Sequence, residues 1–69
     1  MKWHDVASSS LSRVAYEPSS MVMSVEFHNG TVYEYFDIPQ TLFEQLVSAG
    51  SAGQFLAQNV KGTYRYARA

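Results

Sequence analysis

Tyr33 and Tyr35 stand two residues apart in VYEYFDIP (32–39), and Tyr64-Arg65-Tyr66 repeats the spacing near the far end of the chain. Phenol rings at alternate positions of an extended segment share a face. Such a row can screen a sheet, with rings half-buried and hydroxyls reaching water. It can also serve as a platform on which unpaired bases stack, at roughly 1–3 kcal/mol per base. Cations stand close in sequence: Lys61, Arg65 and Arg68 fall in the last nine residues, where there is no Asp or Glu. The six acidic residues lie between positions 5 and 44, with only Arg13 among them. The candidate binding surface is therefore Arg13, Tyr33, Tyr35, Lys61, Tyr64, Arg65 and Arg68, with Tyr66 extending it. Its expected ligand is an unpaired, single-stranded nucleic acid. The competing use of the same face is docking on a protein partner or a second copy of the chain.

Other chemistry is poorly supported. His4, Asp5 and His28 are metal-ligating types, but no ligand spacing ties His28, at a hairpin end, to the other two, and zinc needs three or four converging ligands. Ser8, Ser9 and Ser10 lack the strained nucleophile turn of a serine hydrolase and read as loop. The four glycines occupy turn or cap positions, and none builds a phosphate loop. No catalytic residue, metal or cofactor is expected, and a domain this thin has little room for a water-excluding pocket. The expectation is a binding module, not an enzyme.

The bulk numbers agree with a small folded unit. A chain of 69 residues makes a single domain, 1–69, and buries only about 60% of the surface its unfolded form exposes. With no cysteine, ten aromatics must carry much of the burial. A hydrophobic fraction of 46% and a charged fraction of 16% belong to a folded chain. A net charge of −1 argues against gripping long nucleic acid through many phosphates. MKWHDV has no apolar signal core, and no apolar run approaches the roughly 20 residues of a membrane span. A cytoplasmic protein without a membrane partner is expected.

The elements that must position these residues follow from periodicity. Residues 1–10 form a lead-in segment ending in a serine loop. Leu11–Glu17 is the first expected strand, EPSS (17–20) a loop, MVMSVEFH (21–28) the second strand and Thr31–Asp37 the third. Asn29-Gly30 between two alternating runs signals a tight hairpin. Pro39 opens a helix to Ala49, with Leu42, Phe43, Leu46 and Val47 on one stripe. Gly50 stops it, and Ser51 with Gln54 makes a capping box for a second helix that ends by Gly62. Residues 62–69 trail off as a basic tail. The expected fold class is α+β, a three-stranded antiparallel meander followed by two short helices packed on one face.

Register assigns the faces. A two-residue Asn-Gly turn pairs Phe27 with Val32, Val25 with Glu34 and Met23 with Phe36. The helices should then cover Met21, Met23, Val25 and Phe27, with Val14 and Tyr16 alongside and Glu34 as the one misfit. Tyr33 and Tyr35 belong on the opposite face, beside Ser24 and Arg13.

The run VEFHNGTVYEYFDIP, then FEQL, then SAGQFLAQNVKGTYRY, resembles the KTSC domain over about residues 8 to 66. Tyr33-x-Tyr35, Asn29-Gly30, Pro39, and Val60-Lys61-Gly62 with Tyr64 carry the likeness. The family is named for its occurrence at the C-terminus of some lysyl-tRNA synthetases and also occurs as small free-standing bacterial proteins. The resemblance implies no catalytic residues; through the synthetase connection it implies RNA as a ligand.

Overall fold

Alternation of apolar and polar residues decides the centre of the sheet. LSRVAYE forms a strand over Leu11–Glu17 (β2), VMSVEF one over Val22–Phe27 (β3) and VYEY one over Val32–Tyr35 (β4). A computed structural model describing residues 2–69 adds a strand at each end, Trp3–Asp5 (β1) and Tyr66–Arg68 (β5). The sheet runs β1-β2-β3-β4-β5, antiparallel throughout. Helices Gln40–Ser48 (α1) and Ala52–Asn59 (α2) are inserted between β4 and β5. The α+β class stands, but five strands replace the expected three. The lead-in segment and the basic tail each contribute an edge strand. Three residues carry too little alternation to announce themselves; they become strands by pairing with a finished neighbour, Trp3 with Ala15 and Tyr66 with Tyr35.

The hairpin between β3 and β4 corrects the expected register. Its Gly30 amide donates to the Phe27 carbonyl and the Phe27 amide to the Thr31 carbonyl, both at 2.9 Å. Gly30 has φ +88°, whereas Asn29 is not among the left-handed residues. A two-residue reversal needs its first central residue at positive φ, which Asn29 lacks; this is a three-residue connection with glycine at the bulge position. The Asn29 side chain accepts the Thr31 amide at 3.0 Å and braces it. Met23 therefore pairs with Tyr35, Val25 with Tyr33 and Glu26 with Val32. A slip of one residue exchanges the two faces of a strand. Tyr33 and Tyr35 join the methionine face, and Glu34 moves opposite Ser24 onto the other one.

That methionine face is the one the helices cover. Leu11, Val14, Met23, Val25, Tyr35 and Ile38 close against Phe43, Leu46, Ala52, Leu56 and Val60. Each fully buried Leu, Val or Met side chain contributes about 1.5–3 kcal/mol. Tyr16 stacks on Phe43 at 5.0 Å between centroids and donates its hydroxyl to the Ile38 carbonyl at 2.6 Å. Met21, expected within the second strand, instead ends the turn after β2 with φ 58° and is exposed.

The helix starts follow their sequence signals. Pro39 caps α1 from an extended conformation, and the Ser51 hydroxyl accepts the Gln54 amide at 3.4 Å. The Ala52 amide donates to the Ala7 carbonyl at 2.8 Å, tying α2 to the N-terminal segment. Gly53 lets this approach happen: a Cβ there would sit 2.7 Å from both Ser8 Oγ and Ser10 Oγ.

Candidate functional site

Where the helical layer stops, the sheet continues. α2 ends at Asn59, its cap amide on Val60 donating to the Leu56 carbonyl, and Lys61-Gly62 turn the chain toward β5. Beyond that turn, Phe27 of β3, Tyr33 and Tyr35 of β4, Tyr66 of β5, and Lys61 and Gly62 line a groove of about 450 Å³. This lies within the roughly 300–1,000 Å³ of small-molecule clefts.

The rings lining it meet edge to face. Phe27 and Tyr33 lie 5.6 Å apart at 86°, and Tyr33 and Tyr66 lie 5.7 Å apart at 79°. Tyr66 also leans on Tyr35 at 5.7 Å. The Lys61 ammonium sits 5.7 Å from the Phe27 ring centroid, an attractive cation–π placement. Tyr66 is exposed, Tyr33 half-buried and Tyr35 only 3% exposed.

Tyr35 supplies the groove's floor. Its hydroxyl makes no hydrogen bond among the described residues, and none of their buried polar side-chain atoms lacks a partner. The sliver of Tyr35 that stays accessible must therefore include its hydroxyl. Desolvation raises the Tyr35 pKa above its ordinary value, and the neighbouring Tyr66 and Tyr33 phenols add to the shift. At neutral pH this hydroxyl is a protonated donor.

The expected binding residues divide between two faces. Tyr33, Tyr35 and Lys61 meet in the groove, and Arg68, opposite Tyr33, shares its face of the sheet. Arg13 does not join the tyrosines, because the register change puts them on the other side. Its Nε lies 2.6 Å from Glu26 Oε1 and its guanidinium 4.5 Å over the Trp3 ring. Arg65 is also elsewhere, 3.4 Å from Asp37 and above Phe36. Tyr64 is half-buried against the core beside a second, shallower depression with Phe36 and Arg65. Phe27 was expected in the core, and Tyr66 only as an extension. The alternation Tyr64-Arg65-Tyr66-Ala67-Arg68 was the available signal, since it puts Tyr66 and Arg68 on one side of a strand.

Among the described residues, no cluster of His, Asp or Glu could hold a metal ion. No helix there is long and apolar enough to cross a membrane.

The KTSC domain family model matches residues 7–64. The chain belongs to the KTSC domain family. A lysine–tRNA ligase from Nostoc is 41% identical over 51 residues, 74% of this chain but 9% of the ligase. The KTSC chain thus spans about a tenth of the length of the ligases it matches. An uncharacterized protein from Stutzerimonas stutzeri is 36% identical over 99% of this chain and 97% of its own length. The crystal structure of a KTSC domain protein from Yersinia pestis superimposes with a TM-score of 0.90, at 25% identity, over 99% of this chain and 96% of that one. The family match leaves β1 and β5 outside it, so Tyr66 enters the groove from beyond the matched segment.

Proposed function

We propose that this KTSC domain is a non-enzymatic binding module that holds single-stranded RNA in the aromatic groove. The observation that carries the reading is the convergence of Tyr33, Tyr35, Tyr66 and Lys61 around one open cleft. Stacking on aromatic rings suits unpaired bases of any sequence. Charge favours the same side. Lys61 and Arg68 form no ion pair among the described residues, whereas the opposite face carries Asp5, Glu17, Glu26 and Glu34 against Arg13. The likeness to segments of lysine–tRNA ligases favours RNA, tRNA included, as the class of partner.

With two cations on the groove side, the single-strand salt slope is about 1.4 in log-log terms. Binding is therefore modest and only weakly salt-dependent. NMR titration of the domain with short unstructured RNAs at low salt should move the amides of Tyr33, Tyr35, Lys61 and Tyr66 first. Tyr66→Ala should cost about 1–3 kcal/mol of affinity. Shifts confined to the opposite face, around Arg13, Glu26 and Glu34, or none at all, would end the reading.

The exposed edge favours a second reading. All three residues of β5 are exposed and one side of its backbone is unpaired, a template for another strand. A dimer joined there would show in light scattering and break up in Tyr66→Arg.

A further inference from the structure

We infer that the groove is a single-nucleotide site. It admits one unstacked base, with the base edge on the Tyr35 hydroxyl and the attached phosphate on Lys61. The inference rests on the RNA reading and specifies how much of the strand the protein grips.

The groove's size and lining set the stoichiometry. About 450 Å³ is lined by Phe27, Tyr33, Tyr35 and Tyr66 with Lys61 and Gly62, and Tyr35 is the most deeply buried of the rings. Phe27–Tyr33 and Tyr33–Tyr66 are steep, at 86° and 79°, and Tyr35–Tyr66 is tilted at 37°, so the rings form a recess and not one flat surface. A flat platform would let successive bases stack along it; a recess takes one ring and leaves its neighbours outside.

The polar groups describe what that ring must carry. Tyr35 is only 3% exposed and lines the groove, and its hydroxyl has no hydrogen-bond partner among the described residues. Leaving such a group unpaired is costly, so an apolar guest that covered it would bind poorly. A guest with an acceptor on its far edge satisfies it, as the carbonyl oxygens and ring nitrogens of nucleobases do. Lys61 supplies the second donor, an ammonium with no ion-pair partner among the described residues. Both donors ask for acceptors, one neutral and deep, one anionic and shallow. A nucleoside monophosphate unit presents that pair across a flat aromatic ring.

The test is a titration of the intact chain, followed by amide shifts, with uridine and adenosine 5′-monophosphates, the corresponding nucleosides, inorganic phosphate, and a six-nucleotide RNA. Both monophosphates should saturate the groove amides with one-to-one stoichiometry. Tyr35→Phe keeps the ring and should weaken the monophosphates and the nucleosides alike, by about three- to tenfold. Lys61→Ala should weaken the monophosphates by a similar factor and leave the nucleosides unchanged.

Four outcomes overturn the inference. Binding of the six-nucleotide RNA in the groove with no response to monophosphates removes the single-nucleotide site and leaves the RNA reading intact. Silence from both removes the two together. Inorganic phosphate binding as tightly as the monophosphates reduces the groove to an anion site. Equal loss of nucleoside and monophosphate in Lys61→Ala denies Lys61 its phosphate.

Discussion

Under the helices, Met23 and Val25 are sealed by a second layer of structure. On the other side of the sheet Ala15 and Ser24 are just as hidden, at 0% and 2% exposure, with no helix above them. Trp3 and Ala15 are cross-strand partners, as are Arg13 and Glu26, and Ser24 and Glu34. Long side chains thus flank small ones and shingle over them, with the Arg13–Glu26 pair and the Trp3 ring tying the shingles together. One face hides its centre by packing layers, the other by laying neighbours sideways. The first is close-packed and intolerant of lost volume; the second relies on movable side chains in contact with water.

The sharpest way to expose the difference is Leu56→Ala. It removes an α2 side chain buried in the core between helices and sheet and should cost about 2–5 kcal/mol. For a domain this size each kcal/mol lowers Tm by about 4–8 °C, so a thermal melt reads it directly. Next comes an alkaline effect peculiar to the layered face. Tyr35 titrates above its ordinary pKa in the folded state, so its contribution to stability is complete below about pH 10. That contribution drains away as pH climbs from there through the raised value, because the unfolded chain gives up the proton first. Tyr35→Phe should flatten this alkaline loss in denaturant titrations, and an unchanged slope would mean that Tyr35 is not the group responsible.

A smaller effect tests the shingles. Ala15→Leu adds bulk at a fully hidden position, yet Trp3 and its neighbours can move aside, so the cost should stay near 1 kcal/mol, the low end for overpacking. A loss above about 3 kcal/mol by urea unfolding would show both faces to be packed alike. The smallest is Arg13→Ala. A partly exposed ion pair contributes about 0.2–1 kcal/mol, and high salt should shrink what there is.

Much of the architecture was legible in local pattern. Leu11–Glu17, the core of the second strand, the third, and both helices could be located because alternation, proline, and Ser51 with Gln54 are short-range signals. β1 and β5 could not, since WHD and YAR gain their structure only from a neighbour already in place. The site was half legible. Tyr33, Tyr35 and Lys61 meet as a group, yet on the face opposite to the one expected. The error came from one turn: Asn29-Gly30 suits a two-residue reversal, and the tertiary preference for burying two tyrosines over a glutamate selected the three-residue form. The misfit of Glu34 in the two-residue register was the clue that pointed to the correct one. Arg13 left the group through that slip, whereas Arg65 left it because it alternates with Tyr66 and sits above Phe36.

The β3–β4 hairpin therefore has two spellings available to one sequence, offset by a single position. Glu34 acts as the index pin between them: in one it faces water, in the other it would have to enter the oily interior. Replacing it with valine would leave the native contacts almost untouched and yet remove the veto on the misaligned form. The casualty would be uniqueness more than stability, with two interleaved populations in slow exchange where there had been one.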